Sequence, residues 1–266
     1  FCVNELEAEI DKQIQNDGSD YESSIPYHKL VLELFLSAYR LSLISNFNFS
    51  KKFKIKLEKM VLFLNNVCNH SNEIPQVGDN DDGRFFIFDH EAKRNNLKCN
   101  YLFSLADSIL NLNNLVYEIN EWELLNWGIE ADVDKFKNDV KNRKFSFYQD
   151  AGIMVMKNSE DYLLVSNGKV GTNGFGNHKH NDLLSFEYHT QKKPIFVDIG
   201  SYVYTSSHFK RNYFRSIKNH NTLSVDEIEP NGFNKEYLFR LFESSNPNIH
   251  KAKMHGNNCF FSGSHS

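Results

Sequence analysis

The chain has 266 residues, of which 40% are apolar and 14% aromatic, so it can form one large domain or two ordinary ones around a sizeable core. Glycine and proline are sparse, which argues against a disordered or collagen-like chain. A net charge of -4 gives no sign of nucleic-acid binding, and no apolar run reaches the roughly 20 residues of a membrane span.

Four cysteines, Cys2, Cys68, Cys99 and Cys259, are spread over the chain without a C-x-x-C pair, which argues against a cysteine zinc site. Free thiols are favoured because a chain of this length does not need covalent staples, although bridges in an oxidising compartment stay open. The chain starts at Phe1 instead of a methionine, and we expect it to be a piece of a longer protein.

Residues 1 to about 140 are predicted to be helical. Apolar residues at steps of four predict an amphipathic helix over residues 3–14. The segment 26–45 is apolar on most sides, which predicts a helix buried between others, and Ser24 followed by Pro26 marks its start. Further helices are predicted around residues 53–64, 100–112 and 119–127.

The pattern changes after a charged stretch, residues 132–143, which we interpret as a linker. Short segments rich in aromatic and branched residues then alternate with turn residues, which predicts an antiparallel β-sandwich. The predicted fold is therefore α+β and multidomain, with a helical domain over residues 1–141, a sandwich over residues 142–266 and a cleft between them. The predicted strands cover residues 145–147, 152–157, 162–166, 183–188, 194–198, 222–225 and 237–243.

One group of polar residues predicts a metal site. His178 and His180 lie two residues apart, and if residues 178–186 form a strand, both side chains point to the same face. A His-x-His pair combined with a distant carboxylate, here Asp198, and a third histidine, here His220, is a common way to build a zinc site. The alternative is that these are four unrelated polar residues at strand ends.

Four separate blocks resemble the heparinase II/III-like C-terminal domain: HKHNDLLSF at 178–186, VDIGSYVY at 197–204, YFRS at 213–216 and HNT at 220–222. In the helical half, DGSDYESSIPYH at 17–28 is similar to the segment that carries the family's catalytic tyrosine. PQVGDNDDGR at 75–84 is similar to a cleft-lining loop of relatives. The resemblance covers about residues 15–245 and implies an incomplete α/α toroid of helical hairpins joined to a β-sandwich, which would be truncated.

The resemblance implies a polysaccharide lyase that splits uronate-containing chains by β-elimination, with an acidic polysaccharide as its partner. This reaction needs a neutralised C6 carboxylate, a base for the C5 proton and an acid for the C4 oxygen. Tyr27 is the implied base and acid, since nearby cations or a helix N-terminus can lower the pKa of a phenol. His178 is its implied partner, either as a general base or as a group that neutralises the C6 carboxylate. The implied ligands of zinc, or of another divalent metal, are His180, Asp198 and His220.

Three residues are candidates for binding substrate: Asp79 and Arg84 in the loop at 75–84, and Arg215 in a later basic stretch. Asn181 and Asp182 are candidates for orienting the imidazoles. Further positive charge for an acidic sugar would come from Lys179, Lys210, Arg211 and Lys218. Three tyrosines, Tyr202, Tyr204 and Tyr213, are candidates for stacking on sugar rings or for the core.

The family pattern places an Asn-His pair, which helps to neutralise the substrate carboxylate, upstream of the tyrosine segment, and the sequence as given begins after that point. A carbohydrate-binding or polysaccharide-assembly protein without turnover therefore stays open as a second function. A metal-dependent hydrolase is a third, and it would need an open metal position facing the cleft. We expect the parent protein to be periplasmic or associated with the cell envelope. The polymer and the oligomeric state are not predicted.

Overall fold

The regular secondary structure in the described part of the first half of the chain is helical. The computed structural model describes residues 2–45, 47–81, 83–88, 96–112, 115–131, 144–234, 236–256 and 258–266, so the predicted linker at 132–143 lies outside them. The helices are α1 (Cys2–Gln13), α2 (Ile25–Ile44), α3 (Lys51–Val67), α4 (Asn100–Leu110), α5 (Glu121–Asn126) and, later in the chain, α6 (His208–Phe214). The predicted helices are confirmed. None of the described helices is long and apolar enough to cross a membrane.

The start of α2 follows from its sequence. Ser24 is the N-cap, and its hydroxyl accepts a hydrogen bond from the backbone N–H of Tyr27 at 3.2 Å. Pro26 occupies the first turn, where its missing N–H costs nothing. These signals fix the position of Tyr27 in the first turn of the helix.

The second half contains a five-stranded antiparallel sheet. Its strands pair in chain order as β1 (Lys144–Tyr148), β2 (Ile153–Lys157), β3 (Tyr162–Ser166), β4 (Ser185–Thr190) and β5 (Lys193–Phe196). A separate hairpin joins β6 (Asn248–His255) to β7 (Asn258–Ser264). The structure is thus a mixed helical and antiparallel fold. The first five strand predictions are confirmed, those at 222–225 and 237–243 are wrong, and the sequence did not predict the hairpin.

One hydrophobic core joins the helices to the sheet. Buried side chains of β2 and β3 belong to the same apolar cluster as those of α1 to α4. Tyr162 donates a hydrogen bond to the carbonyl of Val67 at 2.8 Å, and the Lys157 ammonium donates to the carbonyl of Asn65 at 3.2 Å. These contacts fix the sheet against the end of α3.

The segment 178–184 is irregular and precedes β4, so the condition under which His178 and His180 would share one face of a strand is not met. Its backbone groups bond to other loops instead of a sheet ladder. The N–H of Asp79 donates to the carbonyl of His178 at 2.8 Å, and the N–H of Asn181 donates to the carbonyl of Arg215 at 3.0 Å. No strand forms here because these tertiary contacts satisfy the backbone.

The prediction that α2 is buried on most sides is wrong for its C-terminal part. Leu41 is 58% exposed and Ile44 is 63% exposed. An apolar groove of about 580 Å³ runs beside this face, between α1, α2 and the side chains of Phe85, Phe86 and Trp127. The four cysteines are free thiols, as the sequence favoured.

Candidate functional site

Tyr27 and His178 meet where the helical half contacts the stranded half. The two rings are stacked, with 3.6 Å between their centroids and 17° between their planes. Tyr27 lies in the first turn of α2, while His178 lies in the irregular segment before β4. The edge of the Phe239 ring faces His178, with centroids 6.2 Å apart. The structure therefore brings together the two predicted catalytic residues.

The phenol of Tyr27 has two polar neighbours. It donates a hydrogen bond to Asp81 Oδ2 at 3.0 Å, and the hydroxyl of Tyr204 lies 3.4 Å from its own oxygen. Burial, followed by the negative charge of Asp81, raises the pKa of Tyr27. The expectation that cations and the helix start would lower this pKa is wrong, because burial and carboxylates outweigh them.

Asp79 is fully buried at the centre of the site. Its Oδ2 lies 3.1 Å from His178 Nδ1, and its Oδ1 lies 2.8 Å from His180 Nε2. Arg211 pairs with both oxygens, at 2.7 Å and 2.6 Å. Burial by itself would raise the pKa of Asp79, but the two imidazole hydrogen bonds and the charge of Arg211 lower it to about 2. Asp79 is therefore an ionised carboxylate, and its burial does not favour the predicted substrate contact.

His180, Asp198 and His220 form a buried cluster whose ligand atoms all lie within 4.8 Å of one another. His220 Nδ1 lies 2.7 Å from Asp198 Oδ2. The other ring nitrogens, His180 Nδ1 and His220 Nε2, are buried without a hydrogen-bond partner. Burial raises the pKa of Asp198, but the charge of His220 outweighs it and lowers the pKa, which keeps the carboxylate ionised. Two imidazole nitrogens without a hydrogen-bond partner, beside a carboxylate, are a donor set that suits zinc.

Neither residue predicted to orient the imidazoles contacts one by a described hydrogen bond. The amide of Asn181 donates to Glu229 Oε2 at 2.6 Å and to the carbonyl of Asn231 at 2.8 Å. Asp182 pairs with Lys179 at 2.5 Å. Asp79, from the helical half, contacts the imidazoles in their place.

Arg84 lies inside the helical half, with its side chain 5% exposed. Its guanidinium is 3.2 Å from Glu33 and 3.5 Å from Glu123, and it stacks 3.5 Å over the ring of Tyr101. All three of these partners lie inside the helical half. Its predicted role in substrate binding stays a prediction that this burial does not favour.

Arg215 is also buried. It donates to Asn212 Oδ1 at 2.9 Å and to the carbonyls of Leu238 and Arg240, each at 3.0 Å. These bonds hold the segment after α6 against residues 238–240. Its predicted contact with substrate likewise stays untested, and its hydrogen bonds point to an internal role.

Asp81 and Glu22 are members of the site that sequence reasoning did not single out, whereas Arg211 and Tyr204 were named only within larger groups of cations and tyrosines. Glu22 Oε2 lies 3.9 Å from His178 Nε2. Asp81 lies in the segment 75–84 and Glu22 in the segment 17–28, both of which resemble parts of the family's cleft. Their closeness in sequence to Asp79 and Tyr27 could therefore have identified them. Arg211 was named only as one of several cations, because nothing in its neighbourhood distinguishes a buried arginine from an exposed one.

Solved structures share this fold over nearly the whole chain. Heparinase III, the BT4657 gene product, matches with a TM-score of 0.70 and 19% identity, covering 98% of this chain and 36% of that one. Heparan sulfate lyase HepC from Pedobacter heparinus gives the same four values. A further heparinase III matches with a TM-score of 0.67 and 17% identity, covering 95% of this chain and 37% of that one. The chain therefore shares the fold of these heparinase structures, and it spans about a third of their length.

Two family models match the sequence itself. The heparinase II/III N-terminus matches residues 1–98, and the heparinase II/III-like C-terminal domain matches residues 140–265. The chain belongs to the heparinase II/III-like family, as the resemblance of its motifs implied. No curated protein matches the sequence.

Proposed function

We propose that this chain is part of a polysaccharide lyase that cleaves a uronate-containing polysaccharide by β-elimination. The observation that carries the proposal is the stacking of Tyr27 on His178, with a phenol from the helical half beside an imidazole from the stranded half. Family membership supports it, as do the names heparinase and heparan sulfate lyase of structures with this fold.

The two rings divide the work of elimination. His178 Nδ1 is hydrogen-bonded to Asp79, which leaves Nε2 to take the C5 proton as general base. The electrons of the C5–H bond form the C4=C5 double bond, and those of the C4–O bond leave with the oxygen. Tyr27, whose raised pKa keeps it protonated, donates a proton to that oxygen. Proton transfer from imidazolium to phenolate, direct or through solvent, restores both groups, and the reaction consumes no water.

This division narrows the expectation from the sequence, which gave Tyr27 both proton transfers. A phenol hydrogen-bonded to Asp81 and surrounded by carboxylates is a poor base at neutral pH, because its ionised form is disfavoured. The same property makes it a suitable acid. The base role therefore falls to His178.

The charges around the pair favour a second candidate function. Elimination needs a positive partner for the C6 carboxylate, yet Arg211 is already paired with both oxygens of Asp79. Glu22 and Asp81 add negative charge beside the two rings. Without the Asn-His pair that the family pattern places upstream, the same fold would be a carbohydrate-binding or polysaccharide-assembly protein.

We propose that His180, Asp198 and His220 hold zinc or another divalent cation. The two unpartnered buried nitrogens and the ionised carboxylate support this assignment. The ligands come from three segments: before β4, after β5 and after the 3₁₀ turn Ile217–Asn219. When bound, the metal would cross-link these segments and so hold His178 in place.

The described helices are proposed to be part of an α/α toroid, and the sheet to be one layer of a β-sandwich. The exposed apolar face of α2 and the groove beside it support the first point, because further helices would cover them. A periplasmic or envelope location of the parent protein remains part of the proposal, since an extracellular polymer would be met there. Substrate contacts of Asp79, Arg84 and Arg215 are not part of it, because all three side chains are buried.

The test is to assay the intact parent protein against a panel of uronic-acid polymers. Elimination produces an unsaturated uronate that absorbs in the near ultraviolet. We expect this absorbance to rise, and Tyr27→Phe to lower kcat by about 10²–10⁴-fold. Tyr148→Phe is the matched control. Tyr148 lies at the end of β1, where its hydroxyl accepts a hydrogen bond from Asn66 at 2.7 Å, and it is not part of the site.

Three outcomes would count against the proposal. Full elimination activity in Tyr27→Phe contradicts the acid role of the phenol. New reducing ends without the absorbance indicate a hydrolase. Polymer binding without turnover indicates the binding or assembly function.

A further inference from the structure

We infer that Asp79 is a positioning residue that fixes the orientation and tautomer of two histidines at once, His178 and His180. The inference rests on the proposed lyase function, in which His178 is the base. It gives Asp79 a role different from the substrate contact that the sequence predicted.

The hydrogen bonds around Asp79 determine where the ring protons lie. An ionised carboxylate can only accept hydrogen bonds, so each nitrogen that faces it must carry the hydrogen. His178 therefore has its hydrogen on Nδ1, at 3.1 Å from Asp79, and a lone pair on Nε2. His180 has its hydrogen on Nε2, at 2.8 Å from Asp79, and a lone pair on Nδ1. Arg211, paired with both carboxylate oxygens, keeps Asp79 ionised in this buried place.

Both lone pairs are where the proposed chemistry needs them. His178 Nε2 lies 3.9 Å from Glu22 Oε2, outside hydrogen-bond distance, and is left available for a substrate proton. His180 Nδ1 is buried without a partner and belongs to the cluster with Asp198 and His220. One carboxylate thus serves the base and a metal ligand together, and a buried acid that orients an imidazole is a recurrent catalytic device.

The backbone holds Asp79 firmly. Its N–H donates to the carbonyl of His178 at 2.8 Å, so the residue is bonded to His178 through both main chain and side chain. Its own carbonyl accepts a hydrogen bond from the Ser24 hydroxyl at 2.7 Å. Gly78, with φ of +79°, allows this approach, because a Cβ there would lie 2.7 Å from the carbonyl oxygen of His178. Asp79 is thereby fixed to the start of α2 and to the segment before β4.

Three variants of the full parent protein test the inference. Asp79→Asn keeps the shape of the side chain but removes its charge and offers an amide N–H to one histidine. Asp79→Glu keeps the charge. Asp107→Asn is the matched control, because Asp107 is a buried carboxylate that accepts a hydrogen bond from Tyr117 at 2.7 Å, away from the site.

We expect Asp79→Asn to lower kcat for elimination by at least 10²-fold with KM changed less than about threefold, since the base is misoriented while substrate contacts remain. Zinc affinity should fall by about 10–100-fold in the same variant. Asp79→Glu should recover at least tenfold of the lost kcat, and Asp107→Asn should stay within about twofold of wild type.

Nitrogen NMR of ¹⁵N-histidine in the wild-type protein gives a readout that does not depend on turnover. We expect His178 to be protonated on Nδ1 and bare on Nε2, and His180 to show the opposite pattern. Histidine signals are assigned from spectra of His178→Ala and His180→Ala.

The outcomes separate this inference from the proposed function. If wild type eliminates none of the polymers, the lyase proposal fails while the nitrogen spectra still decide the role of Asp79. A wild-type spectrum with His178 bare on Nδ1 overturns the inference. So does an active wild type whose Asp79→Asn variant retains its kcat.

Discussion

Replacing Gly78 with alanine is expected to destabilise the protein through two separable effects. Gly78 has a φ of +79°, a conformation that side chains of L-residues rarely adopt. A Cβ at this position would lie 2.7 Å from the carbonyl oxygen of His178 and 2.9 Å from Ser24 Cβ. Neither neighbour is free to move, because the carbonyl accepts the N–H of Asp79 and Ser24 caps α2.

The magnitude follows from adding the two effects. The left-handed conformation costs an alanine about 1–2 kcal/mol. Forcing a methyl group against fixed atoms costs about 1–3 kcal/mol more. Gly78→Ala should therefore lower the free energy of unfolding by about 2–5 kcal/mol, which for a chain of this size lowers Tm by roughly 4–20 °C.

Gly128→Ala is the matched control. Gly128 has a φ of +63°, but a Cβ added there meets nothing within 4 Å. Only the conformational cost of about 1–2 kcal/mol remains, so Tm should fall by roughly 2–8 °C. The two variants are compared with wild type by thermal unfolding followed by circular dichroism. If Gly78→Ala and Gly128→Ala lower Tm equally, the contact of Gly78 with His178 and Ser24 leaves room for a methyl group, which contradicts the prediction.

Three further predictions concern the metal, a buried arginine and a buried acid. His220→Ala should lower the zinc content measured by elemental analysis, whereas the exposed His250→Ala should not, and equal zinc in both would refute the ligand set. Arg84→Leu leaves two buried carboxylates unpaired and should cost about 3–5 kcal/mol of stability in urea unfolding, without weakening polymer binding in the folded fraction. Burial raises the pKa of Asp20 from 3.8 to about 8, so its native protonation stabilises fully below pH 4 and this stabilisation is lost as the pH rises through 8. The Tm of Asp20→Asn minus the Tm of wild type should therefore increase between pH 5 and pH 8. If this difference in Tm stays constant over that range, the raised pKa of Asp20 is contradicted.

The helices could be predicted because their signals are local. Ser24 and Pro26 mark the start of α2, and apolar residues at helical spacing give α3 its buried face. The alternation of apolar residues likewise located β1 to β5. Each of these signals depends on neighbours a few residues away.

The segment 178–184 shows where local pattern failed. His178 and His180 both contact Asp79, as a shared direction would require. Their convergence comes from hydrogen bonds to this carboxylate and not from the alternation of side chains along a strand. The backbone there is bonded to loops distant in sequence, and a period-two pattern cannot register such partners. The hairpin β6–β7 was missed for a different reason, since it alternates without a strongly apolar face.

The sequence by itself determined the order of helices and strands and the family, and it marked Tyr27, His178 and the three proposed metal ligands. Only the tertiary structure decided which charged residues are buried: Asp79 and Arg211 form the centre of the site, while Arg84 is enclosed in the helical half. The reason is physical. Helix and strand formation respond to short-range spacing, whereas burial of a charge depends on a compensating partner that here lies about a hundred residues away in sequence.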